Sequence, residues 1–158
     1  MIQTSCFLIA QRFVGLKKIH DKVANPQIVA MLQLEDPGIT QDEVPWCSAF
    51  ANYVAWLLRL PRSKSLAARS WLQVGSVVSI HDAIVGNDAV ILKRGPEPQP
   101  GPDVIDAPGH VGFFAGAGPL GANGWPSSVY LLGGNQNNSV CVEPFQTSAI
   151  LGVRRLNS

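Results

Sequence analysis

Three side chains in this sequence have the types that acyl-transfer chemistry uses: the thiol of Cys47, the imidazole of His110 and the amide of Asn135. Cys47 stands in the stretch DEVPWCSAF (42–50), where a helix is expected to begin. Pro45 suits a first helical position, because its missing N–H would lack a partner there. Cys47 then falls in the first turn, where unpaired N–H groups and the helix dipole favour negative charge. A thiol so placed can have a pKa well below about 8.5 and act as a nucleophile near neutral pH. The competing role is a structural cysteine of the core, one of the most often buried residue types.

A nucleophilic thiol needs a base, usually a histidine, and a third group that fixes the ring tautomer. His20 lies in the charged stretch KKIHDK, and His81, in SIHDAI, sits beside Asp82 where helices give way to strands. His110 opens GHVGFF, in which alternation puts His110, Gly112 and Phe114 on one face of a strand and Val111 and Phe113 on the other. Gly109 and Gly112 leave room around that imidazole, which could also be a strand-end histidine bonded to backbone. In LLGGNQNN (131–138), Asn135 could lie beside His110 and accept from its ring N–H. The same residues are also hairpin-turn chemistry.

The elements that must hold these groups divide the chain in two. Helical spacing is present over 3–16, over 26–34 after the start signal Asn25-Pro26, over 45–59, and over a shorter piece from Ser65 to Val74. The clearest stripe is Trp46, Phe50, Tyr53, Val54, Leu57 and Leu58, ended by Pro61; Cys47, Ala51 and Ala55 form a small-residue stripe beside it. From Gly86 onward short β-rich runs alternate with Gly, Pro and Asn: Ala89–Lys93, His110–Ala115, Val129–Leu132, Val140–Glu143 and Ile150–Arg154. A helical half (1–75) followed by a β-rich half (86–156) predicts one α+β domain over 1–158, its N-terminal helices packed on a C-terminal antiparallel sheet.

Composition narrows the function. Of the 158 residues 46% are hydrophobic and 15% charged, and the net charge of +1 offers no broad basic face for nucleic acid. No apolar run approaches the roughly 18 residues of a membrane span. The start, MIQTSCFLIAQRF, lacks the basic lead and small-residue cleavage site of a signal peptide. Cysteines at 6, 47 and 141 are too few for a disulfide framework and are read as free thiols, or as one pair and one thiol. Gly116-Ala117-Gly118-Pro119-Leu120-Gly121 spells GxGxxG, but Pro119 and the following ANGWP (122–126) make it a loop without the helix a dinucleotide would need. Neither H-E-x-x-H nor a paired-Cys zinc motif occurs, so no metal or cofactor is expected.

The order Cys, His, Asn, with a helix-borne thiol and strand-borne partners, resembles papain-like cysteine hydrolases. PWCSAF, SLAARSW (65–71), NDAVILKRG (87–95), GHVGFF (109–114), LLGGNQ (131–136) and LGVRR (151–155) resemble, in the same order, segments of the NlpC/P60-like and CHAP-like superfamily. The opening VGLKKIHDKVANPQIVAML resembles that superfamily's first helices, so the similarity spans nearly the whole chain. Two departures are Asn87 in place of a glycine and His20-Asp21 in place of a Pro-Gly turn.

The resemblance implies a papain-like fold, with Cys47 as nucleophile, His110 as base and Asn135 as orienting residue. The reaction implied is hydrolysis of amide bonds in the peptide part of peptidoglycan, as an endopeptidase or N-acetylmuramoyl-L-alanine amidase of the endolysin kind. A thiolate–imidazolium pair would attack, and the Cys47 N–H would help to hold the oxyanion. Trp46, Arg69, Trp71 and Trp125 are candidate groove residues; Arg69 could fork onto a peptide-stem carboxylate or could equally be exposed or paired internally, and membership of the apolar stripe would bury Trp46. The expected partner is peptidoglycan alone, bound by a monomer without a separate wall-binding domain. It would be made in the cytoplasm and delivered to the wall by another system. A secreted antibacterial amidase effector and a non-catalytic wall-peptide-binding module are the alternatives.

Overall fold

The computed structural model describes residues 3–20 and 22–157, so Asp21 of the KKIHDK stretch lies outside the described residues. Three helices precede the sheet: α1 (Cys6–Ala10), α2 (Pro26–Gln33) and α3 (Cys47–Leu57). Ser5 caps α1 by accepting from the Leu8 N–H, and Asn25 caps α2 through the Gln27 N–H ahead of Pro26. The region 3–16, expected as one helix, is α1 followed by a 3-10 turn over Gln11–Phe13. Another 3-10 segment, Ala68–Gln73, replaces the helix expected from Ser65.

The sheet is wholly antiparallel among the described residues. Its strands are β1 (Ser76–Val78), β2 (Asp88–Lys93), β3 (Gly109–Ala117), β4 (Ser128–Gln136), β5 (Ser139–Gln146) and β6 (Ile150–Arg155), in the order β1-β6-β2-β3-β4-β5. β1, which the sequence pattern did not predict, is short, largely exposed and pairs only with β6. β2 and β6 are tied by an ion pair, Arg155 Nη2 donating to Asp88 Oδ2 at 2.7 Å and Nε to Oδ1 at 2.8 Å. Asn87, the departure at the head of β2, accepts from the Cys6 N–H at 2.8 Å and so pins the start of α1 to the sheet.

The two faces of the sheet carry separate apolar clusters. One face holds Ala89, Ile91, Val111, Phe113 and Leu132, against which α3 packs Trp46, Phe50, Val54 and Ala55. The other holds Val90, Leu92, Phe114, Val129, Leu131 and Val153, with Phe145, Ala149 and Ile150 against them. Each fully buried large side chain contributes roughly 1.5–3 kcal/mol relative to exposure, so this two-sided core dominates stability. α3 sits so close to β4 that a Cβ on Gly134 would fall 2.7 Å from the Phe50 Cβ and 2.8 Å from the Trp46 ring.

Candidate active site

Cys47 is the first residue of α3, with Trp46 as its uncapped N-cap, so Pro45, expected at the first helical position, lies two residues ahead of it. The helix face beside it is polar and fully paired: Ser48 Oγ donates to the Ser65 carbonyl at 2.6 Å, and Asn52 Nδ2 donates to the carbonyls of Ser48 and Ser65. These bonds lock the first turn of α3 against the 63–65 loop. The Cys47 side chain is 2% exposed and lies at the floor of a cleft of about 540 Å³, walled by Leu66, Ala68, Arg94, Gln99 and Pro108.

Burial pushes the Cys47 thiol pKa up; the Val111 N–H, the Arg94 charge and the amides of Ser48 and Cys47 itself work in the other direction. The amides at the helix start do what the sequence suggested, but desolvation outweighs them. His110, 5% exposed, shows the converse. Burial lowers its pKa to about 4; a hydrogen bond to Gln136 opposes that shift and the Arg94 charge adds to it. At neutral pH both groups are therefore uncharged, and the expected thiolate–imidazolium pair is not the resting state.

The amide hydrogen-bonded to His110 is that of Gln136, where the sequence pointed to Asn135. Gln136 Oε1 lies 2.9 Å from His110 Nε2. Its Nε2 donates to the carbonyls of Leu131 at 3.1 Å and Cys141 at 2.8 Å, so the amide oxygen is the end that faces the ring. His110 must then carry its proton on Nε2, leaving Nδ1 as a bare acceptor with no partner among the described residues. The physical reason is a bulge. Gly133 pairs with Cys141 and Gln136 with Ser139, three steps on β4 against two on β5, with Asn135 at φ 57°. One extra residue reverses the alternation, bringing Gln136 to the His110 face. A Cβ on Gly133 would lie 2.6 Å from Gln136 Oε1, so that glycine makes room for the amide. Asn135 is half-buried and lines the rim of the His110 cavity.

The thiol and the ring come close along β3 without bonding. Val111, whose N–H acts on the sulfur, follows His110 directly, yet no hydrogen bond joins Cys47 to His110. Gly109, Val111 and Phe113 face the helices and Ala68, whereas His110, Gly112 and Phe114 face Gln136, Leu131 and Phe145. The imidazole stacks on Phe145 with ring centroids 5.1 Å apart and opens to a cavity of about 260 Å³. The Cys47 cleft and the His110 cavity meet at Arg94, which lines both.

The groove residues expected from sequence are placed as follows. Arg69 is fully buried and is not a groove residue. Its Nε donates to the Pro108 carbonyl and its Nη1 to those of Pro100, Gly101 and Val104, at 2.9–3.2 Å, which leaves no fork for a substrate acid. Trp71 is buried too, its Nε1 donating to Ser48 Oγ at 3.0 Å. Trp46 is buried against Gly134, and its Nε1 has no partner among the described residues. Trp125, 47% exposed, is the one of the four at a surface. It packs against His81 at the mouth of a separate cavity of about 510 Å³ lined by Leu120, Phe114 and Val129. Cys6 is buried with its pKa pushed up to about 12, and all three cysteines are free thiols. Among the described residues no group of three or more His, Cys, Asp or Glu side chains gathers as a metal site.

The sequence matches no family model and no curated protein. Among solved structures, NlpC1 from Trichomonas vaginalis is similar in fold, with a TM-score of 0.54 at 15% identity over 96% of this chain. The chain spans 42% of the length of that protein. The α+β architecture, helices on one face of a six-stranded antiparallel sheet, is thus that of an NlpC/P60-like, papain-type fold.

Proposed function

We propose that the protein is a cysteine hydrolase of amide bonds in the peptide part of bacterial peptidoglycan, with Cys47 as nucleophile and His110 as base. The observation that carries this reading is a cysteine at the first residue of a buried helix, lying against the backbone N–H that follows a histidine whose tautomer is fixed by an amide. Because both groups rest uncharged, the sulfur attacks the carbonyl as Nδ1 of His110 takes its proton, forming the C–S bond and an imidazolium together. The Cys47 N–H at the start of α3 would help to hold the oxyanion; each such donor is worth about 2.7–4 kcal/mol. The imidazolium then protonates the leaving amine, and water, deprotonated by the same ring, hydrolyses the thioester. Because His110 and Cys47 lie on opposite faces of β3, this sequence requires the start of β3, and not the ring alone, to rearrange when substrate binds.

The buried thiol and the lack of a hydrogen bond between Cys47 and His110 favour a second reading, a module that grips wall peptide without cutting it. Release of soluble peptides from purified peptidoglycan decides between them. Wild type should release them, and Cys47→Ala should abolish release while keeping the wild-type circular dichroism spectrum. His110→Ala should lose at least about a hundredfold, the scale of general-base catalysis. Binding without release by the wild type, or a fully active Cys47→Ala variant, would defeat the hydrolase reading.

A further inference from the structure

Arg94 follows β2 directly, is exposed, and lines both the Cys47 cleft and the His110 cavity. It is the one cation lining the Cys47 cleft among the described residues, and it enters none of their ion pairs or side-chain hydrogen bonds. The neighbouring cations are occupied: Lys93 pairs with Glu97 at 3.6 Å, and Arg69 is spent on loop carbonyls. Nearby acids do not claim it either. Glu143, in the His110 cavity, accepts from Asn137 Nδ2 at 2.7 Å, and Asp106 lines the Cys47 cleft without pairing to Arg94.

An unpaired guanidinium at the junction of two cavities is a ready fork for a planar carboxylate. We propose that Arg94 binds a free carboxylate of the substrate next to the scissile amide, so that the chain selects peptides whose flanking residue is an acid over those in which it is an amide. Asp106 in the same cleft would turn that carboxylate away from itself and toward Arg94, giving the peptide one direction. A bound carboxylate would also offset the positive charge that acts on His110, making the ring a better base once substrate is in place. The location beside the nucleophile rests on the hydrolase reading; the recognition does not need turnover.

The test is calorimetric titration of the Cys47→Ala protein with two synthetic stem peptides that differ only at the γ-linked D-glutamyl residue, one with its α-carboxylate free and one carboxamidated. The acid should bind at least about tenfold more tightly, the size expected of one charge-assisted contact. Arg94→Gln should erase the preference, and Arg94→Lys should restore part of it. Equal affinity for the two peptides, a preference that survives Arg94→Gln, or no binding of either peptide overturns the proposal. The outcomes separate the two readings: an acid preference in a protein that never cuts peptidoglycan leaves Arg94 in its role and removes the hydrolase. An active wild type without the preference does the reverse.

Discussion

Gln136 decides which nitrogen of His110 can act. Two carbonyls hold its amide N–H₂, so its oxygen must receive the ring proton on Nε2, and the lone pair that can abstract a proton is on Nδ1. Removing that amide frees the tautomer and leaves the Leu131 and Cys141 carbonyls short of a donor. Gln136→Ala is expected to lower kcat about tenfold or more with KM nearly unchanged, because it acts through the base and not on substrate. Asn135→Ala should stay within about twofold of wild type in kcat. Steady-state kinetics on a defined muropeptide checks both, with the pH profile as the second readout: only loss of Gln136 should move the acid limb. A large kcat loss in Asn135→Ala with a silent Gln136→Ala would return the role to Asn135. The sequence pointed one residue away, since strict alternation along β4 puts Asn135 on the His110 face. The left-handed residues Asn135, Asn137 and Asn138 were visible as turn chemistry, but nothing local distinguishes a bulge plus a two-residue turn from a longer loop.

At the level of elements, periodicity carried most of the reading. α2, α3 and five of the six strands lie close to where the apolar and β-rich runs put them. The α3 stripe is only partly right: Phe50 and Val54 are buried, Leu57 is exposed, and the helix is buried all round from Cys47 to Asn52. β1 escaped because three mostly exposed residues show no pattern. Arg69 stayed open between two roles, because a cation in a Trp-containing motif looks the same in sequence whether it meets a substrate acid or a row of carbonyls. Its bonds draw the Pro-rich segment after β2 down to form the wall of the Cys47 cleft. Arg69→Met keeps the stem but strands those acceptors. It should destabilise the fold by about 1.5–3 kcal/mol, the range for hydrogen bonds to a charged group, and open the segment 95–108 to proteolysis. Denaturant melts and limited trypsin digestion measure both; an unchanged midpoint with a protected loop would show that the clamp is dispensable.

Seen as a whole, the molecule is a two-sided sheet with its nucleophile candidate under one face and its base candidate on the other, joined at the start of β3. That arrangement explains why candidate residues could be singled out from their chain order while their electrostatics could not. Burial is a property of the assembled core, and it reverses the ionisation that the helix start alone would favour. Hydrolysis by this route needs a Cys47 sulfur that is reachable and used. The most direct test is iodoacetamide treatment of the folded Cys141→Ser protein, with peptide mass spectrometry and peptidoglycan hydrolysis followed on the same samples. Activity should fall in proportion to carbamidomethylation of Cys47 while buried Cys6 stays unmodified. Full hydrolysis by protein whose Cys47 is completely alkylated, or an active protein whose Cys47 never reacts, would contradict it.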